Sequence, residues 1–407
     1  MNKMQKNDRR VVVTGMGIMT GAGKNVDEFY DALLNEKTGI KKCTIYDLNQ
    51  LASDKVSQID SVSTSRPYEI NEETRLLTIL NHVLQETWVD ASLEKKKIEA
   101  LYERCIISMG ISVGLDEYRY EYINKKKAGN KNLEYLFQSP QNIIDFIRER
   151  TGIIGAYHIN SSACSASTAA FGEACSAIKN NKADMALVLG VDPLSEFSLY
   201  GFNSLKNISP EGCKPFDKNR DGITIGEGGA ALVLEEYENA KKRNAKIYAE
   251  VFGYGMGNDA YHVTSPDPSG DGAYYTMQMS MNEAGIDWTM LDYINAHGTG
   301  TIQNDSMEME AANRLCTDNS HKVYMNSTKS LTGHCLGAAG AVEIIATVLA
   351  VYHDVVFGTY NLDECDNNYE TLVIQKDKSK NIKVNYAISN SFAFAGNSAS
   401  VLIGKVR

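Results

Sequence analysis

Several features are missing from this 407-residue chain. No run of about 18 or more apolar residues stands out, so no membrane-spanning segment is expected. The eight cysteines, at positions 43, 105, 164, 175, 213, 316, 335 and 365, form no Cys-x-x-Cys pair and no Cys/His cluster at zinc spacing. Free thiols in a reducing compartment follow, which removes the disulfide reading and weakens the metal one. Positive charge is also short: 41 Lys and Arg stand against 51 Asp and Glu, a net charge of −10. That balance argues against a general nucleic-acid binder, which needs an excess of cations to meet phosphates. The basic start, MNKMQKNDRR, runs into VVVTGMGIM, too short and glycine-broken for the apolar region of a signal peptide. A cytoplasmic protein is expected.

What is present suits a globular enzyme. Hydrophobic residues make up 43% and charged residues 23%, with no long polar, charge-rich segment of the disordered kind. The length exceeds the roughly 250 to 300 residues at which single cores stop growing, so two domains or one two-part core are expected. Lys125, Lys126, Lys127 and Lys131 form a local basic cluster that could meet an acidic partner. A solvated polar loop is the favoured reading of it.

Runs rich in β-branched residues (10–14, 105–109, 185–189, 230–234, 247–252, 291–296) alternate with helix-length segments such as 26–36, 167–180 and 273–284, which predicts an α/β architecture with buried sheets. RVVVTGMGIMTGAG and KIYAEVFGYGMGND both run an apolar strand into closely spaced glycines, a weak hint of two related halves meeting near residues 240–246. The division is placed at 1–245 and 246–407. Gly15 and Gly17 begin a dinucleotide-type GxGxxG, but Thr20 holds the third glycine position, so a tight strand-to-loop turn is expected instead.

Four stretches carry chemistry. INSSACSASTAAFGEACSAI places Cys164 among small residues where a strand turns into a helix, and a helix start would lower its thiol pKa and raise its reactivity. Cys175, three turns on, lacks that position. On placement alone a nucleophile and a small buried residue both remain open for Cys164. INAHGTGTIQNDSMEME ends a strand in His297, with Asp305 and Glu308 sharing one helical face beyond it. NSTKSLTGHCLGAAGAVEII carries Lys329, His334 and Glu343, with His334 near a helix start. ISNSFAFAGNSAS sets Phe392 and Phe394 among small residues before a last strand, where a plain strand end is the favoured reading of the residues alone.

In this order the stretches resemble the β-ketoacyl-acyl-carrier-protein synthases of the condensing-enzyme family, most closely the type II elongating kind. RRVVVTGMGIMTGAG, SACSAS, the segment from KPFDKNRDG to YHVTSP, NAHGTGT and NSTKSLTGH carry the likeness over most of the chain. The resemblance implies a thiolase-like fold of two duplicated halves stacked αβαβα. It implies Cys164 as acyl-carrying nucleophile and His297 and His334 as the histidines of malonyl decarboxylation. The backbone of Cys164 and Phe394 would form the oxyanion hole, with Phe394 gating the acyl tunnel. Lys329 would pair with acids, Asp305 and Glu308 being the natural candidates, with Glu343 near the His334 helix. It further implies acyl carrier protein as partner, no metal and no organic cofactor, and a homodimer or a heterodimer with a homologous subunit. A catalytically silent partner subunit is the alternative. Two departures stand out: Ala393 and Ala395 replace glycines beside Phe394, and residues 117–151 do not match. Together they suggest a polyketide or polyene elongating enzyme.

Overall fold

The computed structural model describes residues 9–62, 74–94, 102–136, 139–316, 321–365, 369–376 and 378–407. Its first half contains β1 (Val11–Thr20), β2 (Cys105–Gly110), β3 (Tyr157–Asn160), β4 (Met185–Asp192) and β5 (Gly228–Glu236), in the sheet order β1-β5-β4-β2-β3. The second half contains β6 (Ala249–Asn258), β7 (Tyr293–Asn295), β8 (Val323–Asn326), β9 (Leu372–Ile374), β10 (Tyr386–Phe392) and β11 (Asn397–Gly404), in the order β6-β11-β10-β7-β8-β9. In each half the first strand pairs antiparallel with the last, the last antiparallel with the one before it, and the second and third join in parallel. The same topology is therefore used twice. The halves join where Val11–Val13 pairs antiparallel with Ala249–Val251, which makes one continuous 11-stranded sheet.

Burial on both faces explains the apolar strand runs. Along β4, Ala186 and Val188 point into a central core while Leu187 and Leu189 face an outer one, the period of two expected of a strand. The central core holds α3 (Ala166–Lys179) and α6 (Ala339–His353), which pack between residues of both halves such as Leu232, Leu234, Val401 and Ile403. Outside the first half lies α2 (Arg75–Asp90), and outside the second lie α4 (Asp271–Ala284) and α5 (Ile302–Leu315). The result is helix, sheet, helix, sheet, helix.

Two expectations need correction. Gly15 and Gly17 do not form a turn: β1 continues through them to Thr20, with a bulge between Val13 and Gly15. Their role is close approach, since a Cβ on Gly15 would lie 2.5 Å from Ala91 Cβ and one on Gly17 2.5 Å from Val83 O. Glu86 and Asp90 of α2 then accept the Ile18 and Met16 amides at 2.8 and 2.9 Å. Secondly, Leu336–His353 is long and apolar enough to cross a membrane, with 89% of it buried inside the protein. It is the core helix of the middle layer, and it carries Glu343. The Lys125–Lys127 run, expected in a loop, instead closes the helix Asp116–Lys127, where cations favour the negative end of the dipole.

Candidate active site

Cys164 follows β3 in a single tight turn, Ala163–Ser165, that leads directly into α3. The turn is locked by Asn160, whose Oδ1 accepts from Ser162 N and Oγ at 2.9 and 2.6 Å. Ala163 takes a left-handed φ of 51° to make the corner. Cys164 is 7% exposed and lines a cleft of about 580 Å³, mouth included. Cys175 is enclosed in the central core. The expected lowering of the Cys164 thiol does not appear: burial pushes it up to about 12, opposed by the Lys329 charge. Burial also pushes Cys175 up to about 12. Access to the cleft, not acidity, separates the two.

His297 and His334 line the same cleft, their rings 5.3 Å apart and nearly perpendicular. His297 stands just past β7 on a loop whose amides are captured by carboxylates. Glu308 accepts from His297 N and Gly298 N at 2.8 Å each, and Asp305 from Thr299 N at 2.9 Å, Gly300 N at 3.1 Å and Phe216 N at 2.9 Å. Burial holds Glu308 up to about 7, and Asp305 is raised for the same reason.

Lys329, 1% exposed, donates to His297 O at 2.6 Å and to His297 Nδ1 at 3.2 Å and is ion-paired with Glu343. Asp305 and Glu308 therefore do not pair with Lys329 as expected; they shape the His297 loop, and Glu343 takes the lysine. His334 lies between the short helix Lys329–Thr332 and α6, not on α6 itself, and its Nδ1 accepts from Leu336 N at 3.2 Å. With both Nδ1 atoms engaged as acceptors, the neutral tautomer of each ring carries its proton on Nε2. Both rings are held well below 6.5, by burial first and then by the Lys329 charge, so neutral imidazole is the resting form.

Phe394 also lines the cleft, its ring 5.5 Å from Phe202. Ala393 is extended at φ −124°, but Ala395 sits at φ 60°, the region glycine favours. The loop is tied to residues 258–263: Ala395 N donates to Val263 O at 2.7 Å, and Ala395 O accepts from Asn258 Nδ2 at 2.7 Å.

The sequence reading missed Asp192, Glu227, Arg75 and Phe202. Asp192 ends β4 and is buried, accepting from Val113 N, Ser112 N and Gly337 N at 2.9, 3.0 and 2.7 Å. Burial raises it to about 7. A carboxylate closing the apolar run MALVLGVD was the available signal. Among the described residues no three His, Cys, Asp or Glu side chains group as a metal site. Among the same residues, Glu343 Oε2 on α6 and the cross-strand neighbours Asn295 Oδ1 and Ser389 Oγ are buried without a hydrogen-bond partner.

Models of the β-ketoacyl synthase N-terminal and C-terminal domains match residues 8–240 and 248–363. The chain belongs to the β-ketoacyl synthase family. Among curated relatives, this β-ketoacyl synthase is similar to 3-oxoacyl-[acyl-carrier-protein] synthase 2 of Coxiella burnetii, at 32% identity over 98% of this chain and 99% of the relative. It is similar to a putative mitochondrial 3-oxoacyl-[acyl-carrier-protein] synthase of Schizosaccharomyces pombe, at 34% identity over 98% and 99%. Among solved structures it is similar to the ishigamide ketosynthase/chain length factor, with a TM-score of 0.89 at 27% identity over 98% of this chain and all of that one. A type II PKS acyl carrier protein in complex with its ketosynthase bound to the hexaketide gives 0.87 at 28%, over 98% and 100%. The thiolase-like fold and the acyltransferase class expected from sequence hold.

Proposed function

We propose that this β-ketoacyl synthase catalyses a decarboxylative Claisen condensation, in which an acyl chain on Cys164 is extended by two carbons from malonyl-acyl carrier protein to give the 3-oxoacyl thioester. The observation that carries the reading is one buried thiol and two neutral imidazoles on a single cleft, each imidazole presenting an Nε2–H.

In the loading step Cys164 Sγ bonds to the acyl carbon as the carrier's C–S bond breaks, and the thiol proton leaves on the carrier's sulfur. The backbone amides of Cys164 and Phe394 serve as the oxyanion hole. In the second step the malonyl carboxylate departs as CO₂ and its electron pair forms an enolate, whose oxygen receives hydrogen bonds from His297 and His334 Nε2. The enolate carbon attacks the Cys164 thioester and Cys164 leaves as thiolate. Because burial pushes the thiol up to about 12, that thiolate readily takes up the single proton the balance requires. Lys329, with Glu343, orients His297, and Asp305 and Glu308 shape its loop. CO₂ departure drives the scheme and the histidines supply its electrostatics, so it uses no metal or organic cofactor.

The same reading includes division of the chain at residues 245/246, supported by the repeated strand order. It includes a homodimer, supported by the outer edge of β3, unpaired among the described residues, with Tyr157 on that strand and Ile154 before it exposed. A cytoplasmic location belongs to it too, although relatives named for mitochondria and chloroplasts occur. The deciding test is intact mass after incubation with an acyl carrier protein thioester. One acyl adduct is expected on the wild type and on Cys175→Ala, and none on Cys164→Ala; a wild type without adduct points to a silent partner subunit.

A further inference from the structure

His334 belongs to the second half of the chain, yet the first half holds its backbone. His334 N donates to Thr224 O at 2.7 Å and His334 O accepts from Gly226 N at 3.0 Å, a single parallel bridge centred on Ile225. Gly226 lies so close to this loop that a Cβ there would stand 2.3 Å from Thr332 O.

The next residue, Glu227, carries a fully buried carboxylate. It accepts from Ile59 N at 2.7 Å and Leu194 N at 3.1 Å, and Arg75 closes on both its oxygens, with Nε at 2.8 Å. Arg75 also donates to Val62 O at 2.9 Å and Ile59 O at 2.8 Å. One carboxylate thus gathers α2, the 59–62 loop and the segment after β4 around the segment that clasps His334. Its own backbone is fixed by Glu227 N to Ser57 O at 3.0 Å and by Cys335 Sγ to Glu227 O at 3.5 Å. Neither Arg75 nor Glu227 lines the cleft.

A buried ion pair adds little stability over apolar residues of the same volume, because desolvation offsets the attraction; geometry is what it can supply. We propose that Arg75 and Glu227 are a positioning pair for His334, fixing the 224–227 segment that clasps its backbone and so aiming its Nε2–H at the malonyl thioester during decarboxylation. This rests on the role given to His334 above.

The test uses Glu227→Gln and Arg75→Lys in the full chain, with two rates read on each. One is formation of the hexanoyl adduct on Cys164 from hexanoyl-acyl carrier protein; the other is release of labelled CO₂ from malonyl-acyl carrier protein. Final adduct yield counts the folded sites. The positioning role lowers the ratio of decarboxylation to loading about tenfold or more, less in Arg75→Lys, since misplacement near 1 Å can cost about a hundredfold. A merely structural pair leaves that ratio unchanged, whether both rates fall together or neither moves, and that result overturns the proposal. Where Glu227→Gln does not fold, Arg75→Lys decides alone. A wild type that forms no adduct or releases no CO₂ refutes instead the reading of the site.

Discussion

Lys329 reaches His297 twice, at the carbonyl oxygen (2.6 Å) and at Nδ1 (3.2 Å). One buried cation therefore sets both the position of the loop and the tautomer of the ring. Lys329→Met frees Nδ1 and strands Glu343, which burial already raises to about 7. We expect decarboxylation to fall about a hundredfold. The variant should be less stable by about 3–5 kcal/mol where Glu343 is ionised. A folded-state pKa above the unfolded value gives stability that is present at low pH and lost as pH rises through the folded pKa, so the deficit in thermal melts should be larger at pH 8 than at pH 5.

The two histidines titrate well below 6.5 in the folded protein. Decarboxylation measured between pH 6 and 8 should show no histidine break, and a break near 6.5 would count against neutral donors. Stability carries the opposite sign to that of Glu343. Below pH 6.5 the unfolded chain takes up protons that folded His297 and His334 refuse, so their contribution is lost as pH falls. Glu86, raised from 4.5 to about 7 mainly by burial, acts the other way, its contribution being lost as pH rises across that interval. The two effects oppose each other over that window, so stability measured by chemical denaturation should rise with pH more steeply in Glu86→Gln than in the wild type.

Alkylation separates the cysteines by access. With its thiol pushed up to about 12, Cys164 should react with iodoacetamide at a rate rising about tenfold per pH unit from 7 to 10, without plateau. Cys175, enclosed in the core, should stay unmodified in the native protein. Peptide mapping after timed quenching distinguishes them.

The alanines beside Phe394 should behave oppositely. Ala395 holds a left-handed φ that costs an L-residue roughly 1–2 kcal/mol, so Ala395→Gly should raise the melting temperature despite glycine's greater chain entropy. Ala393 is extended, so Ala393→Gly removes no strain and should lower stability by roughly 0.5–1 kcal/mol. Ala395→Gly should also loosen the Phe394 loop at the cleft and widen the acyl range.

Substrate choice tests the pathway. With alanine at 393 and 395 where the family resemblance expects glycine, elongation should favour polyunsaturated or 3-keto acyl carriers over the saturated series. Comparing kcat/KM for matched chain lengths decides it, and efficient use of the saturated series alone places the enzyme in fatty-acid synthesis.

Much of this protein was readable in one dimension, because the relevant signals are local. Strand runs with both faces apolar, small residues around Cys164, and glycines flanking His297 and His334 each record a constraint imposed within a few residues. These signals mark Cys164, His297 and His334 as candidates, and only the family resemblance joins them and adds Phe394. The rest depended on partners far away in the chain. The resemblance offered Asp305 and Glu308 as the natural partners for Lys329, but the fold turns them onto backbone amides and brings Glu343 to the lysine instead. The Cys164 thiol followed burial rather than its helix start, because desolvation, set by everything packed around it, outweighs one helix end. Arg75 and Glu227, 152 positions apart, meet only because α2 packs on the sheet of the first half. Sequence determines which groups are available and which local conformations they prefer; long-range packing decides which charge each group faces and how much water it keeps.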